Sequence, residues 1–91
     1  MINCADIRES INEINPNAII WDAMDDAIVG ISDDGRVVYD INKMEYIIHD
    51  KDGMTFDEAA EWVNFNILSA HLGEFTPIHI WKIWAIPTND E

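Results

Sequence analysis

Basic residues are scarce in this chain. Five Lys and Arg face 18 Asp and Glu, a formal charge of −13. A nucleic-acid duplex or an anionic membrane surface would repel such a molecule, which argues against direct binding to a phosphate backbone. Cysteine is scarcer still. Cys4 stands alone, so neither an internal disulfide nor a thiolate metal cluster can form within one chain. That usage fits a reducing, intracellular setting. No uncharged apolar run approaches the roughly 20 residues that a membrane span requires. The opening residues Met1 to Glu9 lack a basic stretch followed by an apolar one. The expectation is therefore a cytoplasmic protein without a signal peptide. Four isolated glycines leave no phosphate-cradling loop.

What is present suffices for one small core. The chain has 91 residues with a hydrophobic share of 48%, which predicts a single domain over residues 1–91. Four Trp, three Phe and two Tyr are expected to supply much of that core.

Periodicity sets the order of elements. Ile7, Ile11 and Ile14 recur at helical spacing up to Asn15-Pro16, where the proline disfavours helical geometry at the residue before it. Residues 18–25 read as either a further helical turn or an irregular lead-in. Ala27-Ile28-Val29-Gly30-Ile31 and Arg36-Val37-Val38-Tyr39 flank Ser32-Asp33-Asp34-Gly35, a hairpin signal over residues 27–39. Asp40 or Asn42 then caps a helix that stops near Gly53. Thr55-Phe56-Asp57-Glu58 is a capping box, opening a helix whose broad apolar face carries Ala59, Trp62, Val63, Phe65 (on a flank), Asn66, Ile67 and Ala70, and which ends between Ala70 and Gly73.

Ile78 to Ile86 reads as a third strand, with Ile78, Ile80, Trp84 and Ile86 on one face and His79, Trp81, Ile83 and Ala85 on the other. The predicted fold is α+β in the order α-β-β-α-α-β. Its three-stranded, mainly antiparallel sheet would carry helices on one face.

Chemistry finds little foothold. His49-Asp50-Lys51-Asp52-Gly53 suggests a calcium loop, but that register puts Ile48 at the first ligand position and Ala59 at the last. At Asp33-Asp34-Gly35 the first ligand position falls on Gly30. His49, His71 and His79 lack zinc spacing. Cys4 lacks a basic neighbour, and Ser10, Ser32 and Ser69 lack a triad context. The expectation is a protein without catalytic residues, metal or cofactor.

Surface remains. Candidate acidic contacts are Asp33 and Asp34 at the hairpin tip, Asp50 and Asp52 in the helix-to-helix turn, and Asp57, Glu58 and Glu61 on the following helix. Asp57 and Glu58 each lie one turn from Glu61 without a nearby Lys, a repulsion of a few tenths of a kcal/mol per pair. Carboxylates on a rigid scaffold can imitate a phosphate array and occupy a basic groove meant for nucleic acid. The rival site is apolar. His79, Trp81 and Ile83 would stand exposed unless the N-terminal helix, a partner or a second copy in a homodimer covers them.

Several runs also carry a likeness: Asp26 to Ile31, Asp34-Gly35-Arg36-Val37-Val38-Tyr39-Asp40, Asp52 to Ala59, and Phe65-Asn66-Ile67 through Gly73 to Thr76-Pro77-Ile78. Over residues 26–80 the chain resembles a group of small acidic proteins common in phage and prophage genomes. The resemblance implies a setting, not a chemistry. It points to an accessory protein that binds and inhibits or modulates a basic, nucleic-acid-handling protein of the host or its defences. The alternative is a small structural or interaction subunit that uses the apolar face of the C-terminal strand.

Overall fold

The computed structural model describes the backbone of residues 4–83 and the side chains of residues 7–83. Helix α1 (Cys4–Ile14) presents Ile7 and Ile11 to the core, and Ile11 is buried. Its C-terminal end is fastened by Asn15, whose side-chain oxygen accepts the Asn17 amide at 3.0 Å while its Nδ2 donates to the Gly35 carbonyl at 2.9 Å. This short polar side chain turns the chain and ties α1 to the hairpin.

The segment that sequence left ambiguous is an irregular lead-in. It places Met24 in the core, lays Ala18, Ile20 and Trp21 against it, and closes with a 3₁₀ turn at Asp25–Ala27.

The hairpin forms where expected. Strand β1 (Ile28–Ile31) pairs antiparallel with β2 (Val37–Asp40), with a bulge between Ile28 and Gly30. In the turn, the Gly35 amide donates to the Ser32 carbonyl at 3.0 Å and the Ser32 amide to the Arg36 carbonyl at 2.8 Å. The Ser32 hydroxyl donates to Asp34 and accepts the Arg36 amide. Gly35 sits at φ +84, and a Cβ there would meet Asn15 Nδ2 at 2.7 Å. Both conformation and space therefore require glycine.

Asp40 ends β2 and caps α2 (Ile41–Asp52), accepting the Asn42 amide at 3.0 Å. Gly53, left-handed at φ 69, terminates that helix. The capping box at α3 (Phe56–Val63) is complete, with Thr55 and Glu58 exchanging bonds of 2.9 and 3.1 Å. The α-helical ladder stops earlier than the sequence predicts, giving way to a π-helical turn at Asn64–Leu68. Local donors explain the change. Asn66 Nδ2 takes the Trp62 carbonyl at 2.9 Å and the Ser69 hydroxyl the Phe65 carbonyl at 2.8 Å, in competition with the backbone.

Strand β3 (Ile78–Ile80) lies parallel to β2, with Tyr39 opposite His79. The α+β class and the order α-β-β-α-α-β are those expected from sequence. The sheet, ordered β1-β2-β3, is mixed, with one antiparallel and one parallel pairing. A parallel neighbour needs a long crossover, and α2 with α3 provides it. The strand predicted to reach Ile86 pairs only as far as Ile80; its residues from Trp84 onward lie outside the described part.

The core is mostly aliphatic. Val37, Met44, Ala59 and Val63 are fully buried together with one aromatic, Tyr39. The other aromatics contribute less than expected: Trp21 and Trp62 are half-buried, while Tyr46, Phe56, Phe65 and Trp81 are exposed. Among the described residues no helix is long and apolar enough to cross a membrane.

Gly35→Ala combines left-handed strain with a steric conflict at Asn15. It is expected to lower unfolding free energy by about 2 kcal/mol in urea denaturation. Asn15→Ala in the same background should recover the steric part.

Candidate functional site

The seven acidic positions singled out from sequence are all exposed. Asp33 and Asp34 occupy the hairpin turn, where Asp34 also serves the fold by accepting the Ser32 hydroxyl. Asp50 and Asp52 lie in the last turn of α2, and Asp57 and Glu58 in the first turn of α3. The residues at 53–55 join the two helices, so these four and Glu61 belong to one helical pair, while Asp33 and Asp34 stand on a separate element. Asp57 and Glu58 sit where a helix N-terminus favours negative charge. Asp50 and Asp52 gain nothing of the kind at a helix C-terminus.

Three of the five cations are gathered in one cleft. Arg8, Lys43 and Lys51 line this cleft of about 490 Å³ together with Asp22, Asp25, Asp26 and Asp50. Arg8 grips Asp25 through two bonds of 2.7 and 2.8 Å, joining α1 to the 3₁₀ turn. Ala23, at the rim of this cleft, holds the left-handed φ of 62. Arg36 donates from Nε to the Thr76 carbonyl at 2.6 Å, and Lys82 lies beside Asp40 and Val29. Residues 52–81 contain neither Lys nor Arg. α3 and the π-helical turn therefore bear carboxylates and no cation.

Sequence missed that exposed aromatics are interleaved with these carboxylates. His49 stacks on Phe56 with ring centroids 3.9 Å apart, and Tyr46 lies 6.3 Å from Phe56. His49 is fixed by a bond from Nδ1 to the Met54 carbonyl. Further along α3, Met54, Trp62 and Phe65 line a groove between Glu58 and Glu61. The flanking position of Phe65 was visible in helical spacing. The His49–Phe56 stack was not, since it depends on how Gly53 redirects the chain.

The apolar candidates do not form one face. His79 points inward, accepting the Trp21 indole N–H at Nε2 (2.8 Å) and packing 6.0 Å from that ring and 6.1 Å from Tyr39. Trp21 packs over it. Trp81 and Ile83 lie beyond the end of β3, 55% and 92% exposed. The alternation that would align all three presumes a strand that continues past Ile80.

Several residues weighed for catalysis or metal binding serve the fold. The Ser32 and Ser69 hydroxyls are engaged in a turn and a helix end. Helix α2 continues through Asp52, so Asp50 and Asp52 belong to a helix rather than a calcium loop. Among the described residues no group of three or more metal-ligating side chains converges.

Comparison with protein-family models, with curated proteins and with solved structures returns no match.

Burial, with the Arg36 charge adding to it, lowers the His79 pKa. Since Nε2 accepts the Trp21 bond, the neutral ring carries its proton on Nδ1. The unfolded chain takes up a proton near pH 6.5, and the folded chain only at lower pH. The stabilisation is therefore complete above about pH 6.5 and is lost as pH falls through the folded value. Urea midpoints measured from pH 7.5 to 5 should fall more steeply for the native chain than for His79→Gln. Parallel curves would show that His79 is not the titrating group.

Proposed function

We propose that this chain works by contact, as a small phage-type accessory protein. It binds a basic, nucleic-acid-handling protein of the host or its defences and inhibits or modulates it, presenting carboxylates where that protein expects phosphates. The observation that carries this reading is charge segregation. Arg8, Lys43 and Lys51 are collected in one cleft, where Asp22, Asp25, Asp26 and Asp50 face them, whereas Asp57, Glu58 and Glu61 stand exposed on a stretch without Lys or Arg. A surface of one sign steers an oppositely charged partner over distances comparable to the Debye length and weakens with salt.

Capture of partners from nuclease-treated bacterial lysate, at low and high salt, tests this. The expected catch is a nucleic-acid-handling protein retained at low salt, lost at high salt and displaced by duplex DNA. Asp57→Asn, Glu58→Gln and Glu61→Gln combined should abolish its capture while preserving the helix, because Gln also completes a capping box. Capture unaffected by salt and by the triple variant would reject the acidic reading.

A second reading rests on Trp81 and Ile83, whose exposure would suit an apolar anchor in a partner or a homodimer. It predicts a salt-resistant complex. Light scattering after size exclusion should then show a larger species that Trp81→Ala reduces to the monomer.

A further inference from the structure

The groove on α3 combines three features that the acidic surface alone does not require. Phe65 projects into solvent with 71% of its surface exposed, beside the half-buried Trp62 and Met54. An exposed aromatic of that size gains little for folding, since the stabilisation of an apolar side chain comes from the area it removes from water. The backbone beneath it is π-helical over Asn64–Leu68, a rare geometry that is frequent at functional sites. It is held in place by the Asn66 bond to the Trp62 carbonyl. Finally, the groove of about 330 Å³ is edged by Glu58 and Glu61, and no cation lines it. Glu58 is partly committed to the capping box, but the Glu61 carboxylate has no hydrogen-bonding or ionic partner among the described residues.

We infer that this groove receives an arginine side chain from a cationic segment of the partner protein. The guanidinium lies over the Trp62 and Phe65 rings and its N–H groups bond the Glu61 carboxylate. Charge complementarity selects a cation, and the exposed rings select arginine over lysine. A guanidinium is planar, stacks on aromatic faces and is less strongly hydrated than an ammonium. This assignment rests on the acidic-contact reading and narrows it, naming the place where the partner is read rather than merely attracted.

Titration of the full chain with nona-arginine at low salt, followed by amide and indole NMR shifts, tests the assignment. The expected shifts centre on Glu61, Trp62, Phe65 and Asn66. Phe65→Ala and Glu61→Gln should each weaken binding by about three- to fivefold, and nona-lysine should bind more weakly than nona-arginine. Phe65 is exposed enough that its removal should leave the amide spectrum otherwise unchanged. Equal binding of the two peptides, or indifference to both substitutions, would overturn the inference.

The failure modes separate. Binding that shifts only Asp33, Asp34, Asp50 and Asp52 rejects the groove and leaves the acidic surface as the contact. No binding of either peptide at low salt rejects both. Concentration-dependent shifts at the groove without peptide would place a second copy of this chain there and also overturn the arginine assignment.

Discussion

Tyr39 sits at the centre of the middle strand with no exposed surface, and its hydroxyl accepts the Trp21 backbone amide at 2.7 Å. That bond decides where the irregular lead-in goes. With Trp21 held over the sheet, its indole N–H reaches His79 on the strand that pairs with β2. Three segments far apart in sequence thus meet through one ring and two hydrogen bonds. Burial raises the phenol's pKa to about 12, so the group stays neutral wherever the protein would be studied. Stabilisation from it is complete below the ordinary tyrosine value near 10 and is lost as pH rises from there to about 12. A leucine in its place would fill much of the volume but leave the Trp21 amide without its acceptor, and a buried donor left unpaired costs roughly 1–3 kcal/mol.

The polar arrangement of the fold follows from how few cations are available. Arg8 is committed to Asp25, Arg36 to the Thr76 carbonyl, and Lys43 lies 5.5 Å from the centroid of the Tyr46 ring. Each of these contacts joins or braces elements on the α1, hairpin and α2 side of the molecule. α3 itself carries no Lys or Arg, and there the helix N-terminus offsets part of the repulsion at Asp57 and Glu58. Glu61, a turn further on, lies beyond that offset, since the dipole's influence falls away within the first turn. Its charge is therefore the more informative of the three.

What could be read from sequence was local. The Asp-Gly turn, the Gly53 stop and the Thr55–Glu58 box each depend on residues within a few positions of one another and form as written, and of the two caps open at Asp40 and Asn42 the structure uses Asp40. What could not be read depends on distant partners. The parallel pairing of β3 requires the crossover through α2 and α3, and the inward turn of His79 requires Trp21 from 58 positions earlier. The acidic candidates were legible because carboxylates stay exposed almost wherever the fold puts them. Of the aromatic rings among them, Phe65 was legible on a helix flank, whereas the stack of Phe56 on His49 was not, because it depends on how Gly53 redirects the chain.

The exposed rings narrow the kind of contact proposed for this surface. A mimic of phosphates needs carboxylates on a rigid frame and no aromatic side chains between them. Here Phe56 and Phe65 stay in solvent at 54% and 71% exposure while a small core is filled by Val, Ile, Met, Ala and Tyr39. A chain of this size is short of buried apolar area, so leaving such rings outside forgoes folding free energy that it could use. Long-range charge and short-range aromatic contact answer different needs: the first raises the rate of encounter, and the second fixes register and slows dissociation. A surface carrying both is suited to a partner that is cationic and also shaped to meet the rings, which is a narrower demand than net charge alone imposes.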